Sequence, residues 1–109
     1  MLVAVYGSLK KGHFNHHTLA GAEFVADWQT APEYTLLDLG GFPGVVATGS
    51  TAVHTEIYRV NGMILAQLDK LEGHPTFYRR TTVNSPFGAT FIYLYQQANG
   101  CDTVIGSGI

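Results

Sequence analysis

The sequence predicts an α+β fold, a curved sheet or small mixed β-barrel with one main helix packed on it. Three observations lead there. Between Asn61 and Gly73, Ile64, Leu65, Leu68 and Leu71 recur at helical spacing, with a cap-type residue at either end. About six or seven other runs have strand length and strand composition. The run from Thr90 to Gln96 is apolar on both faces, with Phe91, Tyr93 and Tyr95 against Ile92 and Leu94. A strand apolar on both faces belongs inside a sheet or in a barrel wall.

The elements follow in order. Leu2 to Tyr6 is an apolar strand stopped by Gly7, and Gly7 to Gly12 is a loop. His13 to Ala20 has the length of a short helix. From Ala22 to Thr30 the pattern alternates, which places Phe24, Ala26 and Trp28 on one buried face and Glu23, Asp27 and Gln29 largely on the other. Tyr34 to Leu39 is a strand, and Gly40 to Gly44 a loop rich in Gly and Pro. Val45 to Thr48 is short and β-like, and Ala52 to Val60 is longer. Pro75 forbids continuation of the helix beyond Gly73. Tyr78 to Val83 is a strand, and Asn84 to Gly88 a turn into the last strand. The Gly-rich tail from Asn99 reads as loosely held.

The chain has 109 residues, the size of a single domain spanning 1–109. Only 13% are charged, against roughly 25% in an average globular protein, while 46% are hydrophobic. That composition excludes disorder. A net charge of −2, with only the pairs Lys10-Lys11 and Arg79-Arg80, offers no footprint for a nucleic acid. No apolar run approaches the ~20 residues of a membrane span, and no leader is expected at the N-terminus. The single Cys101 has no intrachain partner, so a reducing, cytoplasmic setting is expected.

Four groups of residues bear on chemistry. Tyr6-Gly7-Ser8-Leu9 ends the first strand, where a glycine lets backbone N–H groups converge on an anion. Read alone, it is more readily an ordinary turn. Gly7 and Gly12 have the outer spacing of a phosphate loop. His13 and Phe14 stand where that motif needs Lys and Ser or Thr, so nucleotide binding is rejected. Glu72 ends the helix and faces the negative pole of its dipole, an arrangement costing about 0.3–1 kcal/mol. That field and partial burial both raise a carboxyl pKa, which makes a better base near neutral pH. The competing reading is a surface carboxylate paired with Arg79 or Arg80. His13, His16 and His17 share a face if helical, but no carboxylate accompanies them, and a solvated helix start is favoured over zinc. Cys101 lies in the tail, a poor place for a rigid nucleophile, and Gly40 to Gly44 is either a substrate-facing wall or a plain connector.

Together, the first two groups resemble the γ-glutamylcyclotransferase-like family. The resemblance rests on Tyr6 to Leu9 after the first strand, Glu56-Ile57-Tyr58 on a later one, Leu68-Asp69-Lys70-Leu71-Glu72-Gly73 at the helix end, and Tyr78-Arg79-Arg80 beyond it. Asn15, Leu19 and Pro43 also fit, and the match runs from residue 2 to about 83. Thr55 departs from the family's usual Gly. The run Glu72-Gly73-His74-Pro75 through Tyr78-Arg79-Arg80-Thr81 is most similar to the γ-glutamylamine cyclotransferase branch.

The resemblance implies a cofactor-free, metal-free enzyme acting on a small γ-glutamyl substrate and releasing 5-oxoproline. Glu72 is then the general acid/base. Tyr6, Gly7, Ser8 and Leu9 hold the substrate, and Tyr78 orients the glutamate. The alternative is a small-molecule-binding module on the same fold without turnover.

Overall fold

A computed structural model describes residues 1–10, 12, 16–40, 43–98 and 103–105. Its strands are β1 (Leu2–Val5), β2 (Glu23–Gln29), β3 (Tyr34–Asp38), β4 (Pro43–Thr51), β5 (His54–Arg59), β6 (Tyr78–Ser85), β7 (Gly88–Tyr95) and β8 (Thr103–Ile105). The helix α1 spans Gly62–Glu72, and single 3-10 turns occupy Gly7–Leu9 and His16–Leu19. This is the mixed α+β architecture expected, with a curved sheet and one main helix.

Helix α1 forms where the spacing predicts it. The Asn61 side chain accepts the Ile64 N–H at 2.9 Å, satisfying one of the free amides of the first turn. Ile64, Leu65 and Leu68 are buried on one face. The helix ends in a Schellman arrangement: the His74 N–H donates to the Asp69 carbonyl at 2.9 Å, and the Gly73 N–H to that of Lys70 at 3.3 Å. Gly73 takes the left-handed conformation this demands, at φ 65°.

The main sheet runs in the order β2-β5-β1-β7-β6, and a second sheet in the order β4-β3-β8. β1 pairs antiparallel with β5 and parallel with β7. Strand alternation sends β1 side chains to two faces. Val3 and Val5 meet Leu65 and Leu68 of α1 with Tyr58, Tyr78 and Tyr93. Leu2, Ala4 and Ile57 form a patch with Val25 and Trp28. Ile92 and Leu94 of β7 meet Leu36 and Val45 of the second sheet, with Tyr6 and Val53. Thus β7 is covered on both faces, as its composition requires.

Three expectations are corrected. The alternation in β2 is broken by a bulge between Phe24 and Ala26. Phe24 is therefore 51% exposed, edge-on to the Tyr58 ring, while Val25 and Trp28 pack on the other face. β4 begins at Pro43 and runs to Thr51, well beyond the short segment expected. The tail contains β8, which pairs Thr103 to Ile105 with Asp38 to Leu36. Cys101 and His13 lie outside the described residues.

Candidate active site

The site is built at one end of β1. Tyr6 leaves the strand in extended backbone, and Gly7 turns the chain at φ 64°. A side chain at Gly7 would place its Cβ 2.7 Å from the Pro43 ring, so the position needs glycine for both conformation and space. The following residues close the Gly7–Leu9 turn, with the Lys10 N–H on the Gly7 carbonyl at 3.2 Å. The leading amides of such a turn have no acceptor within it.

Glu72 lies in the last turn of α1. It is half-buried, and burial pushes its carboxyl up from 4.5 to about 7. Among the described residues neither Arg79 nor Arg80 pairs with it. Arg80 goes to Asp69 instead, at 3.5 Å. The surface-pair reading of Glu72 is therefore not what the geometry presents.

Three tyrosine hydroxyls lie in the field of the Glu72 carboxylate. Burial raises Tyr6 well above its usual range. The neighbouring Tyr78 and Glu72 add to the rise, and the Val45 N–H pulls the other way. Burial also raises Tyr78, followed by Glu72 and Tyr95. Tyr93 is raised by burial and then by Asp69, with Glu72 adding and Arg80 opposing. Glu72 thus acts on Tyr6, Tyr78 and Tyr93 together.

Hydrogen bonds fix this arrangement. The Tyr6 hydroxyl donates to the Tyr93 carbonyl at 2.5 Å, and that of Tyr78 to the Pro43 carbonyl at 2.7 Å. Tyr78 therefore ties the start of β4 to the site, where the Pro43 ring closes on Gly7. The Tyr93 hydroxyl donates to Asp69 Oδ1 at 2.7 Å. Sequence reasoning assigned no role to Tyr93, which it read as part of an apolar strand, or to Asp69, which it quoted only as a motif position. The i, i+3 spacing of Asp69 and Glu72 on one helix face was the available signal.

The other candidates lie elsewhere. His16 Nδ1 donates to the Leu9 carbonyl at 3.0 Å, and its ring packs 5.7 Å from Tyr58. An open cleft of about 550 Å³ lies between the second 3-10 turn and α1 and is lined by His17, Thr18, Gln67, Lys70 and Leu71. It includes neither Glu72 nor Tyr6 to Leu9. No described helix is long and apolar enough to cross a membrane.

The chain matches the family model described as gamma-glutamyl cyclotransferase, AIG2-like, over residues 3–108. A Vibrio cholerae gamma-glutamylcyclotransferase-like protein is 46% identical over 107 residues, covering 98% of this chain and 92% of that one. Escherichia coli YtfP, a gamma-glutamylcyclotransferase family protein, is similar in structure. Its solution structure superposes with TM-score 0.78 at 36% identity, covering 99% of this chain and 94% of that one. Gamma-glutamylaminecyclotransferase C of Danio rerio is 38% identical over 91 residues, 74% of this chain and 59% of its own. The chain therefore belongs to the gamma-glutamyl cyclotransferase, AIG2-like family.

Proposed function

We propose that this protein is a cofactor-free γ-glutamylamine cyclotransferase, converting its substrate to 5-oxoproline and a free amine. One observation carries the proposal: a half-buried carboxyl at about 7, at the end of α1, in the electrostatic reach of Tyr6 where β1 enters the Gly7–Leu9 turn. A carboxyl with that value is partly ionised at neutral pH and can both accept and return a proton. The similarity to the Danio rerio relative supports an amine as leaving group.

In this reading Glu72 takes a proton from the substrate's α-ammonium. The freed amine attacks the γ-carbonyl and closes a five-membered ring. Backbone N–H groups of Gly7, Ser8 and Leu9 receive the developing oxyanion, a contribution of about two orders of magnitude in rate. Glu72 returns the proton to the departing nitrogen as the C–N bond breaks, and the second proton shed by the ring nitrogen is taken up by the released amine, which leaves as its ammonium form. Holding the flexible γ-glutamyl chain folded supplies much of the rest. Tyr78 acts through Pro43, keeping the start of β4 against the turn.

The test is turnover of a panel of γ-glutamylamines, with 5-oxoproline and free amine measured together. Equal amounts of both products are expected, and none from the same compounds acetylated at the α-nitrogen, which have no nucleophile. Binding of the panel without either product would contradict the proposal and favour a binding module.

A further inference from the structure

The Gly7–Leu9 turn is tied to the second 3-10 turn by one side chain. His16 Nδ1 lies 3.0 Å from the Leu9 carbonyl oxygen. A carbonyl oxygen only accepts, so Nδ1 carries the proton and donates it. The ring is itself steadied. Its centre lies 5.7 Å from that of Tyr58, whose hydroxyl donates to Glu56 Oε1 at 3.0 Å. The Leu9 carbonyl belongs to the Leu9–Lys10 peptide, and the N–H of that same peptide donates to the Gly7 carbonyl at 3.2 Å. The Gly7 carbonyl belongs in turn to the Gly7–Ser8 peptide, which ends in the Ser8 N–H. Both peptides are trans, so each N–H points away from its own carbonyl. His16, the Leu9–Lys10 peptide and the Gly7–Ser8 peptide therefore form one head-to-tail row. Its last donor is the Ser8 N–H, one of the leading amides left without an acceptor within the turn.

We propose that His16 is a positioning residue that sets the Ser8 N–H, through this row, as the chief backbone donor to the oxyanion of ring closure. This deepens the proposed cyclotransferase reaction and rests on it for its functional meaning. Two effects reach Ser8 along the row. The first is geometric. The buried Leu9 side chain anchors its own Cα in the core with Tyr58 and Leu65, but it leaves the next peptide plane free to tilt. His16 holds the carbonyl edge of that plane, and the Gly7 carbonyl holds its N–H edge. The second is electrical. Hydrogen bonds in series polarise one another, by about 10–30% per bond, so a donor on Leu9 strengthens the last N–H. An oxyanion responds to both, because its donors must be aimed before the charge develops. The N–H groups of Gly7 and Leu9 belong to the Tyr6–Gly7 and Ser8–Leu9 peptides and lie outside the row. The row thus singles out Ser8 among the three amides.

The experiment separates the donor from the ring. His16→Phe keeps a ring against Tyr58 and has no donor. His16→Asn loses the ring and keeps a short N–H donor near the place of Nδ1. In the wild type, proton–nitrogen correlation spectra of the ring should show the proton of neutral His16 on Nδ1. Exchange of the Lys10 N–H with water should quicken about fivefold to tenfold in His16→Phe and far less in His16→Asn. The Leu68 amide in α1 should exchange as in the wild type in both. Turnover of a γ-glutamylamine should show kcat about tenfold lower in His16→Phe with KM within about twofold, and most of the rate recovered in His16→Asn. A neutral His16 protonated on Nε2 would overturn the proposal. So would unchanged Lys10 exchange in His16→Phe, or His16→Asn as impaired as His16→Phe, the mark of ring packing alone. Faster exchange with an unchanged kcat would break the link to the oxyanion. If neither variant folds, the ring-nitrogen spectrum of the wild type decides alone. A wild type that releases no 5-oxoproline would sink the proposed function, and the row would then be judged by the ring and exchange readings.

Discussion

Glu72→Gln should stabilise this protein at alkaline pH and leave its stability unchanged at acid pH. The folded carboxyl titrates at about 7, above its ordinary 4.5. Between those values the folded state keeps a proton that the unfolded chain has released. Stability therefore falls as pH rises through this window, and the loss is complete above it. At about 1.4 kcal/mol per tenfold change, the loss comes to somewhat over 3 kcal/mol, and residual solvent contact of the half-buried group trims it to about 2–3 kcal/mol. Glutamine has nearly the same shape and never ionises, so it escapes this cost. In a domain of this size about 1 kcal/mol moves Tm by ~4 °C, so the variant should melt ~10 °C higher near pH 8.5 and at the same temperature near pH 4. Thermal melts followed by near-UV circular dichroism across that range measure the difference. Two melting curves that run parallel at every pH would refute the reasoning, because they would mean that Glu72 is not desolvated in the folded state.

The remaining predictions concern the frame around the carboxyl. Gly7→Ala must hold φ 64° with its Cβ 2.7 Å from Pro43, so urea titration should show a loss of about 1–3 kcal/mol and turnover should drop with it. Tyr78→Phe removes the hydrogen bond to the Pro43 carbonyl. Stability should fall by about 1 kcal/mol, and steady-state kinetics should show KM rising more than kcat falls. Asn61→Ala unmakes the cap at the far end of α1, and should cost about 1 kcal/mol in urea titration while turnover per folded molecule stays the same.

How far the sequence reveals this molecule depends on the range of the forces involved. Helix α1 is local physics: the Asn61 cap, the apolar stripe and Gly73 are all within one segment, and its bounds are legible. The Glu72 position is legible for the same reason, as a carboxylate at the wrong end of a helix. The bulge in β2 is not, because Phe24 looks like any apolar residue of an alternating strand until its pairing with Tyr58 is known. β8 was hidden by the glycines around it, and it forms only because β3, far away in the chain, presents a free edge to Thr103, Val104 and Ile105. Gly44 reads as loop, yet it is a strand residue whose missing side chain would fall 3.1 Å from Tyr95, so glycine lets the two strands meet. The network of Tyr93, Asp69 and Arg80 joins β7, α1 and β6. No spacing rule links residues across three elements, and Tyr93 could be counted only as an aromatic side chain until its hydroxyl was seen to reach Asp69.

The central claim is that Glu72 moves the proton in ring closure. The most direct measurement is 5-oxoproline release from one γ-glutamylamine turned over by the wild type, compared with Glu72→Gln whose melts show it folded. General acid–base catalysis predicts a loss of about 10²–10⁴-fold in kcat. Equal turnover by the two proteins would contradict it.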